Sequence, residues 1–103
     1  MGFIYKITNL INGKVYIGQT SRTIKERYKE HKKAFKKKNV ALYCAMRKYG
    51  INNFKIEQIE KCDNTLLNER EIYWIAKYKS NNSKIGYNET NGGENLSTKA
   101  FLS

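Results

Sequence analysis

The 103-residue chain contains no proline, one histidine, two cysteines and far fewer acidic residues than basic ones. No apolar run approaches the ~20 residues a membrane-spanning helix needs, and the amino terminus does not look like a secretion signal, so neither a membrane protein nor a secreted one is expected. Cys44 and Cys62 stand far apart with no C-x-x-C spacing. With a single histidine to add, a zinc site lacks ligands and a disulfide framework has no basis; two buried thiols in a reducing compartment are expected. The missing proline and the abundance of Lys, Asn, Ile and Tyr suggest an AT-rich coding sequence, as in a phage, a virus or an AT-rich bacterium. Such a protein would work in the cytoplasm or nucleoid of its host cell.

What is present is positive charge. Twenty Lys and Arg against nine Asp and Glu give a formal net charge of +11. On so small a body this calls for a polyanionic partner, because neutralising phosphates releases condensed counterions. Nucleic acid fits better than a membrane surface. The hydrophobic share of 40% is that of a globular chain, and the length suits one domain.

Residues 3–8 and 14–19 alternate and are rich in Ile, Val, Tyr and Thr; with Asn12-Gly13 between them they read as a β-hairpin. Thr23-x-x-Glu26 is a capping box that starts a helix carrying Ile24, Tyr28 and Phe35 on one face, to about Lys37. A second helix fits Val40 to Tyr49, stopped by Gly50. Phe54 to Cys62 reads as a third strand, with Phe54, Ile56 and Ile59 inward and a bulge where alternation breaks at Gln58-Ile59. A third helix runs from about Thr65 to Tyr78. The order ββααβα predicts an α+β fold: a small three-stranded antiparallel sheet flanked by about three helices. Residues 1–93 form the domain and 94–103 a polar tail.

Three polar residues sit where packing alone would prefer apolar ones. Arg27 and His31, four apart, lie beside the Ile24–Tyr28–Phe35 stripe instead of on the lysine face. Taken singly, Arg27 could snorkel from the core edge and His31 could be a hydrogen-bonded structural residue. Glu71 shares a stripe with Leu67, Trp74 and Tyr78, while Glu69 points away. A buried carboxylate needs compensation, so Glu71 requires a cation: Arg27, Arg70, a lysine or a bound metal. The run "HKKAFKKK" with its neighbouring tyrosines could track a phosphate backbone or be only a solvated helix face. Lys14, Arg22, Lys25, Lys32 and Lys36 are the candidate nucleic-acid contacts.

These pieces resemble the GIY-YIG nuclease family, especially the catalytic domains of phage and intron-encoded homing endonucleases. "FIY" ends at Tyr5 and "YIG" begins at Tyr16, with ten residues between the signatures. "KERYKEH" supplies Arg27 and His31, "NEREIYWI" supplies Glu71, and "GYN" supplies Asn88. One departure is Phe3, which stands where the family has glycine; Gly2 is displaced by one, which predicts a small change of strand geometry and no loss of catalysis.

The resemblance implies a divalent-metal-dependent DNA endonuclease. Glu71 would bind one Mg²⁺ (or Mn²⁺) ion per active site, and Arg27 would stabilise charge on the scissile phosphate. Tyr5 is favoured as general base with Tyr16 orienting it, the reverse assignment staying open. His31 would contact phosphate or relay a proton, and Asn88 would hold the last loop. DNA is the expected substrate with RNA an alternative, and the enzyme would act as a monomer or a transient dimer on DNA. The competing reading is a basic nucleic-acid-binding module of the same fold that does not cut.

The hairpin register bears on this choice. A two-residue turn at Asn12-Gly13 pairs Tyr16 with Asn9 and Tyr5 with Thr20. A longer loop through Asn9–Asn12 would pair Tyr5 with Tyr16 on one face, and catalysis requires that arrangement or a bulge equivalent to it.

Overall fold

A computed structural model describes residues 1–93; the expected polar tail, 94–103, lies outside the described residues. The elements are β1 (Gly2–Asn9), β2 (Val15–Thr20), α1 (Ile24–Ala34), α2 (Ala41–Tyr49), β3 (Phe54–Cys62) and α3 (Leu67–Tyr78), with single 3-10 turns at Ile51–Asn53 and Asn64–Leu66. The sheet is antiparallel in the order β2-β1-β3. The expected α+β architecture and element order are therefore present. No helix of the described residues is long and apolar enough to cross a membrane.

The hairpin adopts neither of the two registers expected. Tyr5 pairs with Gly18 and Ile7 with Tyr16, so the tyrosines are diagonal neighbours on one sheet face, with ring centroids 6.4 Å apart. The turn itself sets this register. Asn9 and Lys14 close a four-residue loop: Gly13 N–H donates to the Asn9 carbonyl at 2.8 Å, and Asn9 N–H to the Lys14 carbonyl at 2.9 Å. Asn9 and Asn12 side chains accept from Ile11 and Lys14 N–H, and Gly13 supplies the positive φ of 79°.

The expected bulge in β3 is real. Ile4 pairs with Glu60 and Tyr5 with Gln58, leaving Ile59 as the extra residue. It lets Phe54 and Ile56 serve one sheet face while Ile59 and Cys62 serve the other. On the first face Tyr5, Ile7 and Phe54 pack with Leu42, Tyr43 and Met46 of α2, bordered by Ile24, Tyr28 and Phe35. On the second, Ile4, Ile17 and Cys62 pack with Leu67 and Ile75 of α3. Helices thus cover both faces.

Local signals account for the helix ends. The capping box between Thr23 and Glu26 is formed in both directions. α1 ends at Ala34 instead of near Lys37, because beyond Phe35 the lysines have no apolar face to bury. α2 stops at Gly50, whose φ is 89°. α3 begins at Leu67, two residues later than expected, after a 3-10 turn capped by Asp63. Cys62 is buried and free as expected, but Cys44 is exposed, since α2 turns Leu42, Tyr43, Ala45 and Met46 inward and Cys44 to solvent.

The start of β1 carries the shifted glycine without disruption. Phe3 keeps regular pairing with Thr20 and Lys61. Gly2 lies against Leu67, where an added Cβ would come within 2.6 Å of its side chain.

Candidate active site

Tyr5, Tyr16, Arg27 and His31 come together at one end of the first sheet face. Tyr5 reaches it by lying over Gly18, its partner across the strands; a Cβ at position 18 would overlap the Tyr5 ring. The Tyr5 hydroxyl lies 2.7 Å from His31 Nε2 and 3.3 Å from Arg27 Nε, which donates to it. The ring of Tyr16, half-buried, stands edge-on to His31 with centroids 6.0 Å apart.

Burial governs the electrostatics. Tyr5 is wholly inaccessible, and desolvation pushes its hydroxyl above the usual phenol range, while Arg27 pulls it back down. His31 is 2% exposed. Burial, and next the Arg27 charge, lower it to about 4, so it stands neutral at pH 7. Arg27 is held above the ordinary guanidinium range: its burial opposes the charge, but the Tyr5 oxygen and Glu30 outweigh that. Glu30 accepts from both Arg27, at 2.9 Å, and Arg22.

Two hollows meet at Arg27. The larger, about 450 Å³, is lined by Tyr16, Arg27, His31 and Tyr43 together with Lys38 and Asn88. The smaller, about 220 Å³, runs along the end of β2 past Gln19, Thr20, Ser21 and Arg22.

Glu71 approaches from the opposite sheet face, on α3. It is 6% exposed, and its Oε1 accepts from Gln19 Nε2 at 3.1 Å and from Gly93 N–H at 2.9 Å. Gln19, whose amide also donates to Asn68, links Glu71 to the smaller hollow. Arg70, one of the cations considered for Glu71, turns instead to Glu60, 2.9 Å away, which also accepts from Trp74 Nε1. Among the described residues no group of three or more His, Cys, Asp and Glu converges. The anionic ligand offered is the Glu71 carboxylate, whose Oε1 already accepts two N–H groups, so a hard ion held there would keep most of its waters.

Asn88 acts as a clamp. Its Oδ1 accepts from Ile17 N–H and its Nδ2 donates to the Ile17 carbonyl, both at 2.8 Å. The preceding residues run parallel to β2, where Gly86 lies so close to Val15 that any Cβ would strike the Val15 carbonyl. The last loop thus covers the free edge of the strand that carries Tyr16.

The basic candidates do not gather around this site. Arg22 alone lines a hollow. Lys14 donates to the Ser83 carbonyl beside the turn. Lys25 and Lys32 are exposed on the part of α1 roughly 140–160° around from Arg27, with Lys32 over the Tyr28 ring and Lys36, beyond the helix, over Phe35. Sequence reasoning passed over Gln19, Glu30 and Tyr43. Gln19 had a signal, as a polar residue in the Val15–Ile17–Gln19 apolar row; Glu30 had its i+3 spacing from Arg27. Tyr43 had none, since a tyrosine among Leu42, Ala45 and Met46 reads as core.

Comparison with known proteins shows the family and the fold. Residues 1–88 match the family model of the GIY-YIG catalytic domain. The chain is 38% identical over 93 residues to uncharacterized protein 019R of Invertebrate iridescent virus 6, covering 86% of this chain and 33% of that one. It is 37% identical over 91 residues to intron-associated endonuclease 1 of Enterobacteria phage T4, covering 82% and 35% respectively. The chain thus spans about a third of the length of these two relatives. Among solved structures, the catalytic domain of the homing endonuclease I-TevI superposes with a TM-score of 0.74 at 30% identity, covering 87% of this chain and 99% of that domain. A mutant of that domain gives 0.77 at 31% identity, covering 89% and 97%.

Proposed function

Because the chain belongs to the GIY-YIG catalytic-domain family, we propose that it hydrolyses DNA phosphodiester bonds as a divalent-metal-dependent endonuclease. The observation that carries this reading is the Tyr5 hydroxyl held between His31 Nε2 and Arg27 Nε, an imidazole nitrogen on one side and a cation on the other. Packing offers no reason to bury Tyr5 and His31 beside a half-buried Arg27. General base catalysis does, because a phenol must lose its proton to accept one from water.

Arg27 binds the scissile phosphate, exchanging Glu30 for a phosphate oxygen and uncovering Tyr5 as its head moves. A guanidinium so placed stabilises the charge that grows on the phosphorane, an effect of about 3–4 kcal/mol for a single well-aimed donor. Tyr5 takes a proton from the attacking water while its own passes to His31 Nε2. His31 starts neutral, as an acceptor must, and pairing Arg27 with phosphate removes a cation that disfavours its protonated form. Tyr16, on the wall of the larger hollow, orients the water against the phosphate.

Glu71 would hold one Mg²⁺ or Mn²⁺ ion, supplying positive charge for the phosphate oxygens and the leaving oxygen. Asn88 keeps β2, and with it Tyr16, in place. Lys14, Arg22, Lys25, Lys32 and Lys36 contribute long-range attraction for the DNA backbone, with Arg22 nearest the reacting phosphate. A single site cuts both strands by two successive nicks or through a transient dimer on DNA. The two free thiols suit the reducing cytoplasm or nucleoid of a host cell.

The test is cleavage of DNA, with RNA of matching sequence alongside, in Mg²⁺, in Mn²⁺ and in EDTA. Arg27→Ala and Glu71→Ala should each lower turnover by about 10²–10³-fold, as the loss of one charge-stabilising group does. Salt-sensitive binding with no cutting in any metal would favour the non-catalytic module instead.

A further inference from the structure

His31 is bonded at both ring nitrogens, and the second bond constrains what the first can do. Nε2 lies 2.7 Å from the Tyr5 hydroxyl, and Nδ1 lies 2.7 Å from the hydroxyl of Tyr43 on α2. A neutral imidazole has one N–H and one bare nitrogen, so the two contacts must run in opposite senses. In one arrangement Tyr5 donates to Nε2 and Nδ1–H donates to Tyr43. In the other Tyr43 donates to Nδ1 and Nε2–H donates to Tyr5.

The surroundings choose between them. The Tyr5 oxygen already accepts from Arg27 Nε. Were it also to accept from Nε2–H, its own proton would need a third partner, and Tyr5 has no access to solvent. With Tyr5 donating to Nε2, every group on that hydroxyl is used. Tyr43 can take the accepting role because it lines the larger hollow, where its own O–H can turn to water.

We propose that Tyr43 is a positioning residue that fixes His31 in the Nδ1–H tautomer, leaving Nε2 bare to receive the Tyr5 proton. The inference rests on the reading of Tyr5 as the base and extends the machinery to a third tyrosine. The step balances simply. The water O–H bond breaks and a Tyr5 O–H bond forms, while the original Tyr5 O–H bond breaks and an Nε2–H bond forms. The water oxygen bonds to phosphorus as the bond to the leaving oxygen breaks, the leaving oxygen takes a proton from solvent, and the imidazolium returns its proton to solvent. With the other tautomer Nε2 carries a hydrogen and this transfer has no acceptor.

Nitrogen-15 NMR tests the tautomer directly, and the single histidine of the chain makes the signal unambiguous. The wild-type protein should show a protonated Nδ1 and a bare Nε2. Tyr43→Phe removes the acceptor and should shift the ring toward Nε2–H. It should lower kcat by about tenfold or more, part of what general base catalysis supplies, with DNA affinity unchanged. Tyr43→Gln, whose amide oxygen can accept from Nδ1–H, should restore the tautomer and much of the rate. An Nε2–H tautomer in the wild-type protein, or a Tyr43→Phe variant with unchanged tautomer and rate, overturns the inference. The parent reading is tested separately: full activity in Tyr5→Phe would remove Tyr5 as base, whatever Tyr43 does.

Discussion

Gly18 stands directly opposite Tyr5 across β1 and β2, and the Tyr5 ring occupies the space a side chain at position 18 would need. The glycine of the "YIG" stretch is therefore the floor on which the other signature's tyrosine lies. Gly18→Ala should displace that ring and strain the core by about 1–3 kcal/mol, the usual cost of overpacking. Thermal unfolding would show the loss, and cleavage should fall further than stability alone explains, because the hydroxyl leaves His31.

Asn88 makes two hydrogen bonds to the backbone of Ile17 and borders the hollow that Tyr16 and Arg27 line. Asn88→Ala leaves a buried N–H and C=O unpaired, at about 1–3 kcal/mol each. Urea unfolding should show a large loss, and amide exchange at Ile17 should accelerate. Asn88→Asp should be worse than a neutral replacement, since a carboxylate cannot donate to the Ile17 carbonyl.

His31 should titrate near pH 4 instead of near 6.5. Its ring is buried among Tyr5, Tyr16 and Tyr43, with Arg27 opposing its charge and Glu30 favouring it. Between those two pH values the unfolded chain holds the extra proton, so stability rises with pH across that window. The contribution is complete above pH 6.5 and fades as pH falls to 4, by about 3 kcal/mol in all. Proton NMR of the single imidazole should show no titration between pH 5.5 and 8, and a midpoint near 6.5 would contradict the burial argument.

Glu30 holds Arg22 and Arg27 together at the mouth of the site. Any phosphate must displace this carboxylate, which the two arginines keep below the usual carboxylate range. Glu30→Gln should tighten DNA binding several-fold at low salt and steepen its salt dependence, as the freed arginines neutralise more phosphate charge. Fluorescence anisotropy across a salt series would measure both, and weakened binding would show that Glu30 positions Arg27 instead of competing for it.

Much of the site was legible because polarity in the wrong place is a local signal. Glu71 could be seen among Leu67, Trp74 and Tyr78 by counting at 3.6 residues per turn, and it is buried. His31 and Arg27 were displaced from the lysine face by the same count. The lysines were harder to read, since charge in sequence carries no direction: Lys25 and Lys32 answer to solvent on α1, away from the hollow that Arg27 lines.

The sequence by itself determined the elements, the capping box at Thr23, the bulge near Ile59 and the stop at Gly50, because each depends on residues within a few positions of one another. It also determined which polar groups needed an explanation. Only the tertiary structure decided the hairpin register, through two asparagine side chains that close a four-residue turn. It alone decided what these polar groups touch: Arg70 to Glu60, Glu71 to Gln19, and Tyr43 to His31. Those partners are separated by 10 to 52 positions in the chain. Periodicity reports which face a side chain takes, whereas a hydrogen bond depends on where two faces meet.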